Sequence, residues 1–258
     1  METNAERIIE VDFPPLPEEK LHVVCYVDFL GSKEIMEKGE RHVFFENIHD
    51  TFSFALKFEN QLKLFGNLKF KVFSDNILIA HEVSDKSNKH EVFTAYNNIA
   101  NFLKTFAPKF VQQGILFRGG VTLGDIAINE IMVWGNGLVE AVKIEENLSI
   151  YPRIVLSEKL VSIFDSYNLD AYEFENKFSC IRDADGCVFI DYINYTEPPT
   201  AQITIEEGYL VILEKIKDEK SPKILQKYIW HKNYLKKAMQ IHNEYFGPDS
   251  GFYIDLKE

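Results

Sequence analysis

Two short apolar runs separated by only two residues set the strongest constraint on how this chain can fold. The runs are LKFKVF (68–73) and NILIAHEV (76–83), and the residues between them are Ser74 and Asp75. Strand-like runs at this spacing predict a tight β-hairpin. The sequence therefore places the carboxylate of Asp75 at a hairpin tip, between two strands that are otherwise apolar.

Strand and helix patterns flank this hairpin. The run LHVVCYVDF (21–29) predicts a central strand, and residues 32–66 have apolar positions at helical spacing. After the hairpin, an amphipathic helix is predicted to stop near Pro108, and GILFRGGVTLGDIAI (114–128) predicts the next strand. The order β-α-β-β-α-β predicts an α+β fold of the ferredoxin-like type, with an antiparallel central sheet and helices on one face.

A helix predicted over 138–148 and a strand predicted over 153–157 complete the first part of the chain. The pattern differs after about residue 165, where a hairpin that turns at Asp185–Gly186 is followed by two helices broken near Pro222. We therefore expect three segments. A polar leader spans 1–20, a core domain spans 21–165, and a C-terminal hairpin with a helical extension spans 166–258.

The charge balance excludes a general nucleic-acid surface. The formal net charge is −12, from 28 basic and 40 acidic side chains. A nucleic-acid surface is expected to have clustered lysine and arginine, which release counterions from phosphates. Any anionic ligand is therefore expected to be held locally, by a few cations, helix N-termini or metal ions.

The cysteine count and the hydropathy of the sequence indicate the cellular compartment in which the protein is expected. Cys25, Cys180 and Cys187 form no C-x-x-C pair, and an odd count favours a reducing environment. Residues 1–20 contain no apolar signal region, and no uncharged apolar run approaches the roughly 20 residues of a membrane span. We expect a cytoplasmic protein that binds no membrane.

Two carboxylates are predicted to meet at one edge of the sheet. Asp28 ends the first strand, and Asp75 lies at the hairpin tip. Two aspartates on adjacent strands can share a divalent cation such as Mg²⁺, whose shell is completed by water and phosphate oxygens. An ordinary turn role for each aspartate is an equal alternative, because this residue is favoured in turns for local hydrogen bonding.

The residues after Asp28 favour the site interpretation. Gly31 predicts a turn, and Ser32 is a candidate helix N-cap three to four residues beyond the acid. A helix N-terminus at this position is suited to holding phosphate. A metal ion and a phosphate site together indicate a nucleoside triphosphate, although one glycine and one helix start are a weak signal alone.

Four strings in chain order then resemble a known family. They are VDFLGS (27–32), KVFSDNILIA (71–80), FRGGVTLGD (117–125) and VWGNGLVEAVKIEENLSIYPRIVLS (133–157). Over about residues 21–165 the chain resembles the catalytic domain of class III nucleotidyl cyclases, and within them the pyrimidine cyclases of the Pycsar antiphage system. The ordered set is far more specific than any single motif.

The resemblance implies roles for individual residues. Asp28 and Asp75 match the aspartates that hold two divalent ions, Mn²⁺ or Mg²⁺, and the backbone carbonyl of Phe29 is a further candidate ligand. Gly31 and Ser32 match the phosphate-binding turn. Lys69 matches a lysine that contacts the base in purine cyclases.

Three positions depart from the adenylyl cyclase pattern. Met132 replaces a base-reading aspartate, Val139 a catalytic asparagine and Lys143 a phosphate-binding arginine. Without the aspartate, no acceptor at that position reads the amine of adenine. The chain therefore either uses a different base and ribose clamp, as the pyrimidine branch does, or is catalytically weakened.

Three cations of the chain have different expected roles. Arg118 lies beside two glycines that permit close backbone approach, which favours a site role over a structural ion pair. For Lys143, a phosphate-binding role and a position on a solvated helix face are equal alternatives. Arg153 is expected to be structural.

The predicted activity is the conversion of UTP to 3′,5′-cyclic UMP and pyrophosphate. Asp28, Asp75, Arg118 and Lys143 are the predicted catalytic residues, and Gly31, Ser32, Lys69 and Met132 the predicted substrate contacts. The resemblance also implies a homodimer and a separate effector that binds the cyclic nucleotide. The alternatives are a CTP cyclase and a nucleotide-binding sensor without turnover.

Overall fold

The computed structural model describes residues 16–31, 68–193 and 198–256, together with residues 45, 46, 48–50, 53 and 57. Most of the helix predicted over 32–66 and most of the leader therefore lie outside the described residues. The strands are β1 (Lys20–Phe29), β2 (Lys69–Phe73), β3 (Asn76–Glu82), β4 (Phe117–Ile128), β5 (Val133–Trp134), β6 (Ile154–Leu156), β7 (Cys180–Arg182) and β8 (Val188–Ile190).

Six helices are described in the same ranges, and each contacts the sheet or another helix. They are α1 (Lys89–Gln112), α2 (Asn136–Asn147), α3 (Glu158–Asp165), α4 (Ala171–Phe178), α5 (Pro198–Asp218) and α6 (Pro222–Phe246).

The sheet has the strand order β2-β3-β1-β4-β6-β8-β7, and the short β5 pairs only with β4. The first four strands are antiparallel to their neighbours, which is the order of a ferredoxin-like βαββαβ unit. The predicted α+β fold is confirmed. Strand β6 then joins β4 in parallel, and the predicted hairpin β7–β8 extends the same sheet through β8.

The two faces of the sheet are covered by different helices. Val23, Cys25 and Val27 of β1 lie in the core that α1 covers. Val24 lies on the opposite face, in a smaller apolar cluster with Ala141 of α2. Alternate residues of a strand point to opposite faces, so the even-numbered residues of β1, Asp28 among them, face the α2 side.

The predicted end of α1 at Pro108 is wrong, because the helix continues to Gln112. The extra turn buries Phe110 and Val111 in the core. The ring of Phe110 lies 4.5 Å from that of Phe106 and 4.9 Å from that of Phe29. Burial of this aromatic surface stabilises the last turn by more than the hydrogen bond lost at the proline costs.

The C-terminal helices, which form the predicted pair separated at Pro222, pack against this core. Gln112 of α1 donates a hydrogen bond to the Thr204 hydroxyl of α5 over 3.2 Å. The Tyr234 hydroxyl of α6 donates to Asp191, just after β8, over 2.8 Å. Helix α5 is thus attached to α1, and α6 to the residues that follow β8.

Arg153 connects three parts of the fold. Its side chain is 0% exposed and pairs with Asp183 and Asp185 of the β7–β8 turn. Trp230 of α6 donates to the same Asp183 over 3.0 Å and stacks on Tyr151. A buried arginine needs such paired carboxylates, so the structural role expected for Arg153 agrees with its contacts.

Strand β4 and helix α2 approach so closely that a side chain does not fit between them. A Cβ placed on Gly120 would lie 2.3 Å from the carbonyl oxygen of Ala141 and 2.7 Å from Cβ of Ile144. Gly120, the second glycine of the FRGG string, therefore sets the distance between the sheet and α2.

None of the described helices is both long and apolar enough to cross a membrane.

Gly120→Ala is expected to lower the free energy of unfolding by roughly 1–3 kcal/mol, because α2 must move away from β4. Chemical denaturation measures this change. Gly251→Ala is the matched control, since nothing lies within 4 Å of its Cβ position, and it should change stability by less than about 0.5 kcal/mol. Equal stability of the two variants would contradict the close-approach explanation.

Candidate active site

The carboxyl end of β1 lies between two strands that supply polar groups. Asp28 is paired with Asn76 of β3 on one side and with Arg118 of β4 on the other. The pairing extends along almost the whole of β1, so the register fixes which residues flank Asp28.

The hairpin tip lies directly beside this strand end. The backbone N–H of Phe29 donates to the carbonyl of Asp75 over 3.1 Å. The side-chain amide of Asn76 donates to the Asp75 carboxylate over 3.2 Å. Burial raises the pKa of Asp28, Arg118 lowers it, and the negative charge of Asp75 raises it further. The negative charge of Asp75 thus lies close enough to act on Asp28.

Arg118 bridges two carboxylates on the α2 face of the sheet. Its Nε lies 3.4 Å from Oδ2 of Asp28, and its Nη2 lies 2.5 Å from Oε1 of Glu145. The Glu145 side chain is only 4% exposed. Burial raises the pKa of Glu145 to about 7, against the opposing effect of Arg118. This carboxyl group therefore holds its proton to a higher pH than an exposed glutamate does.

A cavity of about 500 Å³ opens beside this cluster. Its walls are the end of β1 with the following turn, the loop before β4, the end of α5 and the first turns of α6. Lys227 of α6 lines the cavity, and its charge also acts on Asp28 and Glu145. The lining residues are Leu30, Gly31, Gly114, Ile115, Leu116, Val211, Glu214, Lys215, Asp218, Glu219, Ile224, Lys227 and Tyr228.

The predicted phosphate turn borders the same cavity. Gly31 has φ +80°, a conformation that favours glycine, and its Cβ direction is open. Phe29, two residues earlier, has its ring buried in the core, so only its backbone can reach the site. Ser32 lies outside the described residues.

Lys69 lies far from the aspartates within one chain. It is paired with Ala80, at the end of the hairpin away from Asp75. Its amine contacts Glu82 and His22, each at 3.4 Å. The end of β2 at the hairpin tip is four residues further along the strand, which corresponds to about 13 Å.

Met132 lies outside the strands of the sheet. It is half-exposed in the turn between β4 and β5, where its N–H donates to Asn129. The amine of Lys71, which shares a face of β2 with Lys69, donates to the carbonyl of Glu130 in that turn. The turn that holds Met132 is thus joined to β2 through Lys71.

Lys143 and Val139 are exposed positions of α2. The buried side of this helix is formed by Ala141, Ile144 and Glu145, which face the sheet. Lys143 forms no side-chain ion pair with any residue that the structure describes. Within one chain, the helix points it away from Arg118.

Asp28 and Asp75 are the residues that fit a divalent ion. Within 16–31, 68–193 and 198–256, no group of three metal-ligating side chains converges. Two carboxylates with backbone oxygens suit Mg²⁺ or Mn²⁺, which keep water and phosphate ligands, better than they suit a fully protein-ligated ion.

Sequence reasoning missed Glu145 and Lys227. The signal for Glu145 was present, because Ala141, Ile144 and Glu145 follow helical spacing and place an acid within an apolar stripe. Lys227 had no such signal, since its position depends on how α6 packs against the end of β1.

Comparison with known proteins gave structural likenesses only. No family model and no curated protein matches the chain. It is similar to the adenylyl cyclase CyaB from P. aeruginosa, with 16% identity over 58% of this chain and 82% of that one and a TM-score of 0.44.

Two further likenesses are of the same kind. The guanylyl cyclase domain of the RhoGC fusion protein from Blastocladiella emersonii has 15% identity and a TM-score of 0.44, over 68% of this chain and 96% of that one. A bacterial light-regulated adenylyl cyclase has 12% identity and a TM-score of 0.45, over 76% of this chain and 58% of that one. Likenesses this weak do not establish what this chain does.

The raised pKa of Glu145 predicts a pH-dependent stability in metal-free buffer. The unfolded chain loses this proton near pH 4.5, whereas the folded chain holds it to about pH 7. The contribution of Glu145 to the free energy of unfolding should therefore fall by about 1.4 kcal/mol per unit between these values as the pH rises.

Glu145→Gln removes this titration, so the stability of the variant relative to the wild type should increase from pH 4.5 to 7. Denaturation at several pH values measures the difference. Glu244→Gln, at an exposed position of α6, is the control. A pH-independent difference for Glu145→Gln would contradict the assignment.

Proposed function

We propose that this chain is a pyrimidine nucleotide cyclase, which converts UTP to 3′,5′-cyclic UMP and pyrophosphate. The main support is the juxtaposition of Asp28 and Asp75 at adjacent strand ends, directly before the turn at Gly31. Such a pair of carboxylates beside a phosphate-suited turn matches the needs of a metal–nucleotide complex.

Asp28, Asp75 and the backbone carbonyl of Phe29 would hold two ions, Mg²⁺ or Mn²⁺. When bound, such ions lower the pKa of the ribose 3′-hydroxyl and neutralise charge on the α-phosphate. The reaction forms a bond from the 3′-oxygen to the α-phosphorus and breaks the bond to the β-phosphate. The 3′-hydroxyl loses its proton, and pyrophosphate leaves.

The remaining groups of the site orient these reactants. Arg118 contacts Asp28 and Glu145 together, which supports a role in fixing the Asp28 carboxylate. The turn at Gly31, with Ser32, would bind the phosphates through backbone and hydroxyl donors. Little covalent chemistry is required of the protein, so positioning dominates the rate.

A homodimer would complete the site. Lys69 lies away from Asp28 within one chain, and Met132 and Lys143 are exposed. If a second copy packed against the side of the chain that carries Asp28 and Asp75, its Lys69, Met132 and Lys143 would contact the nucleotide bound to the first copy. Two symmetric sites per dimer follow from such an arrangement.

The base preference rests on Met132. This side chain offers no acceptor to the amine of adenine, which disfavours ATP. UTP is the favoured substrate and CTP the alternative. In the antiphage role that the sequence resemblance implies, the product would act on a separate effector that binds the cyclic nucleotide, without nucleic acid or membrane contact.

A nucleotide-binding sensor without turnover is the second candidate. It is favoured by the contact between Arg118 and Asp28, since a cation already lies against the carboxylate that would hold the metal. Val139 also favours it, because a valine cannot replace the hydrogen bonds of an asparagine to ribose.

Incubation with each of the four nucleoside triphosphates and Mn²⁺ tests the proposal. Cyclic UMP is expected, with cyclic CMP as the lesser product. Asp75→Ala should lower the rate at least about a hundredfold, because a direct metal ligand matters at least as much as its supporting residues. Asp249→Ala, at an exposed position remote from the site, is the control.

Each outcome separates the candidates. Absence of cyclic product from all four triphosphates would exclude the enzyme and favour the sensor. Cyclic AMP or cyclic GMP as the main product would exclude the pyrimidine preference. Full activity of Asp75→Ala would show that the metal assignment is wrong even if the reaction is right.

A further inference from the structure

Lys227 is a half-buried cation between the acid cluster and the cavity. It lies in the second turn of α6 and lines the cavity together with Leu30 and Gly31. It forms no hydrogen bond or ion pair with any residue in the described part of the chain. A half-buried ammonium group without a partner has lost hydration that a ligand can replace.

The surroundings of Lys227 place it next to the proposed active site. The positive charges of Arg118 and Lys223 and the negative charges of Asp28 and Glu145 all act on it. Lys227 is thus the residue of the C-terminal helices that faces both the carboxylates and the turn at Gly31.

The helix that supplies Lys227 is firmly held. Trp230, three residues later, donates to Asp183, which itself pairs with the buried Arg153. Tyr234 donates to Asp191, which follows β8. These contacts fix the backbone of α6, so the flexible lysine stem alone decides where the ammonium group lies.

The other charges of the cavity restrict where an anion can bind. Glu214 and Asp218 of α5, together with Glu219 directly after it, line the cavity and repel an anion. Lys215, on the same helix, lies over the ring of Tyr228, 5.9 Å from its centroid. An anionic group is therefore favoured at the side of the cavity that Lys227 and Gly31 form.

We propose that Lys227 binds the terminal phosphate groups of the triphosphate, so that the C-terminal helical extension contributes a substrate-binding residue to the active site. The nucleotide identity rests on the proposed function. The phosphate chain would extend from the turn at Gly31 into the cavity, and the ammonium group would hold the pyrophosphate as it leaves. Lysine suits this role because its compact charge binds phosphate oxygens.

Binding of inorganic tripolyphosphate with Mg²⁺ tests this inference without depending on the base. Calorimetry on the full chain should show binding to the wild type. Lys227→Gln should weaken binding about tenfold, the effect of one charge-assisted contact. Lys227→Arg should restore most of the affinity. Lys237→Gln, at an exposed position of α6, should leave binding unchanged.

UMP is the control ligand, because it lacks the terminal phosphates that Lys227 is proposed to bind. Its affinity should be the same in the wild type and in Lys227→Gln. Thermal unfolding confirms that each variant is folded, and Lys227→Met replaces the glutamine variant if that one is not. Loss of tripolyphosphate binding with unchanged UMP binding supports the inference.

Three results would overturn it: no binding of tripolyphosphate to the wild type, equal binding by Lys227→Gln, or an equal loss for UMP. The last would show that Lys227 only balances the charge of Asp28 and Glu145. The cyclisation assay decides the proposed function separately. Binding that depends on Lys227 without any cyclic product would refute the activity and leave the phosphate site standing.

Discussion

Strand β1 is paired with β3 and with β4 over nearly its full length, and the position of every site residue depends on this double pairing. A one-residue slip would turn Asp28 into the core and Val27 toward α2. Burial of Val23, Cys25 and Val27 against α1 makes such a slip costly. The apolar face of β1 thereby fixes the carboxylate on the opposite face.

Charge balance on the α2 face follows from that register. Asp28 and Glu145 are held within reach of Arg118, and Lys227 adds a second cation from α6. Close packing of α2 on Gly120 brings Glu145 down to the sheet, and the Arg153 network positions α6. Parts of the chain far apart in sequence thus supply a cluster in which Arg118 pairs with both carboxylates.

The sequence was sufficient for the strands other than the two-residue β5, because their apolar runs and the two-residue hairpin are local signals. The β2-β3-β1 adjacency then brings Asp28 to Asp75. It failed at Pro108, where burial of Phe110 outweighs a local helix-breaking preference. It also failed for Lys227, since the packing of α6 on the end of β1 is a tertiary contact without local pattern. Lys69 and Lys143 were predicted to lie at the site, but within a single chain neither of them lies at Asp28.

The central claim is that Asp28 and Asp75 hold the metal ions that bind a nucleoside triphosphate. A crystal structure with Mn²⁺ and the α,β-methylene analogue of UTP tests it directly, because anomalous scattering locates manganese. The account predicts manganese in contact with both carboxylates and phosphates at the turn of Gly31. Manganese bound elsewhere, or a nucleotide bound without contact to either aspartate, would contradict it.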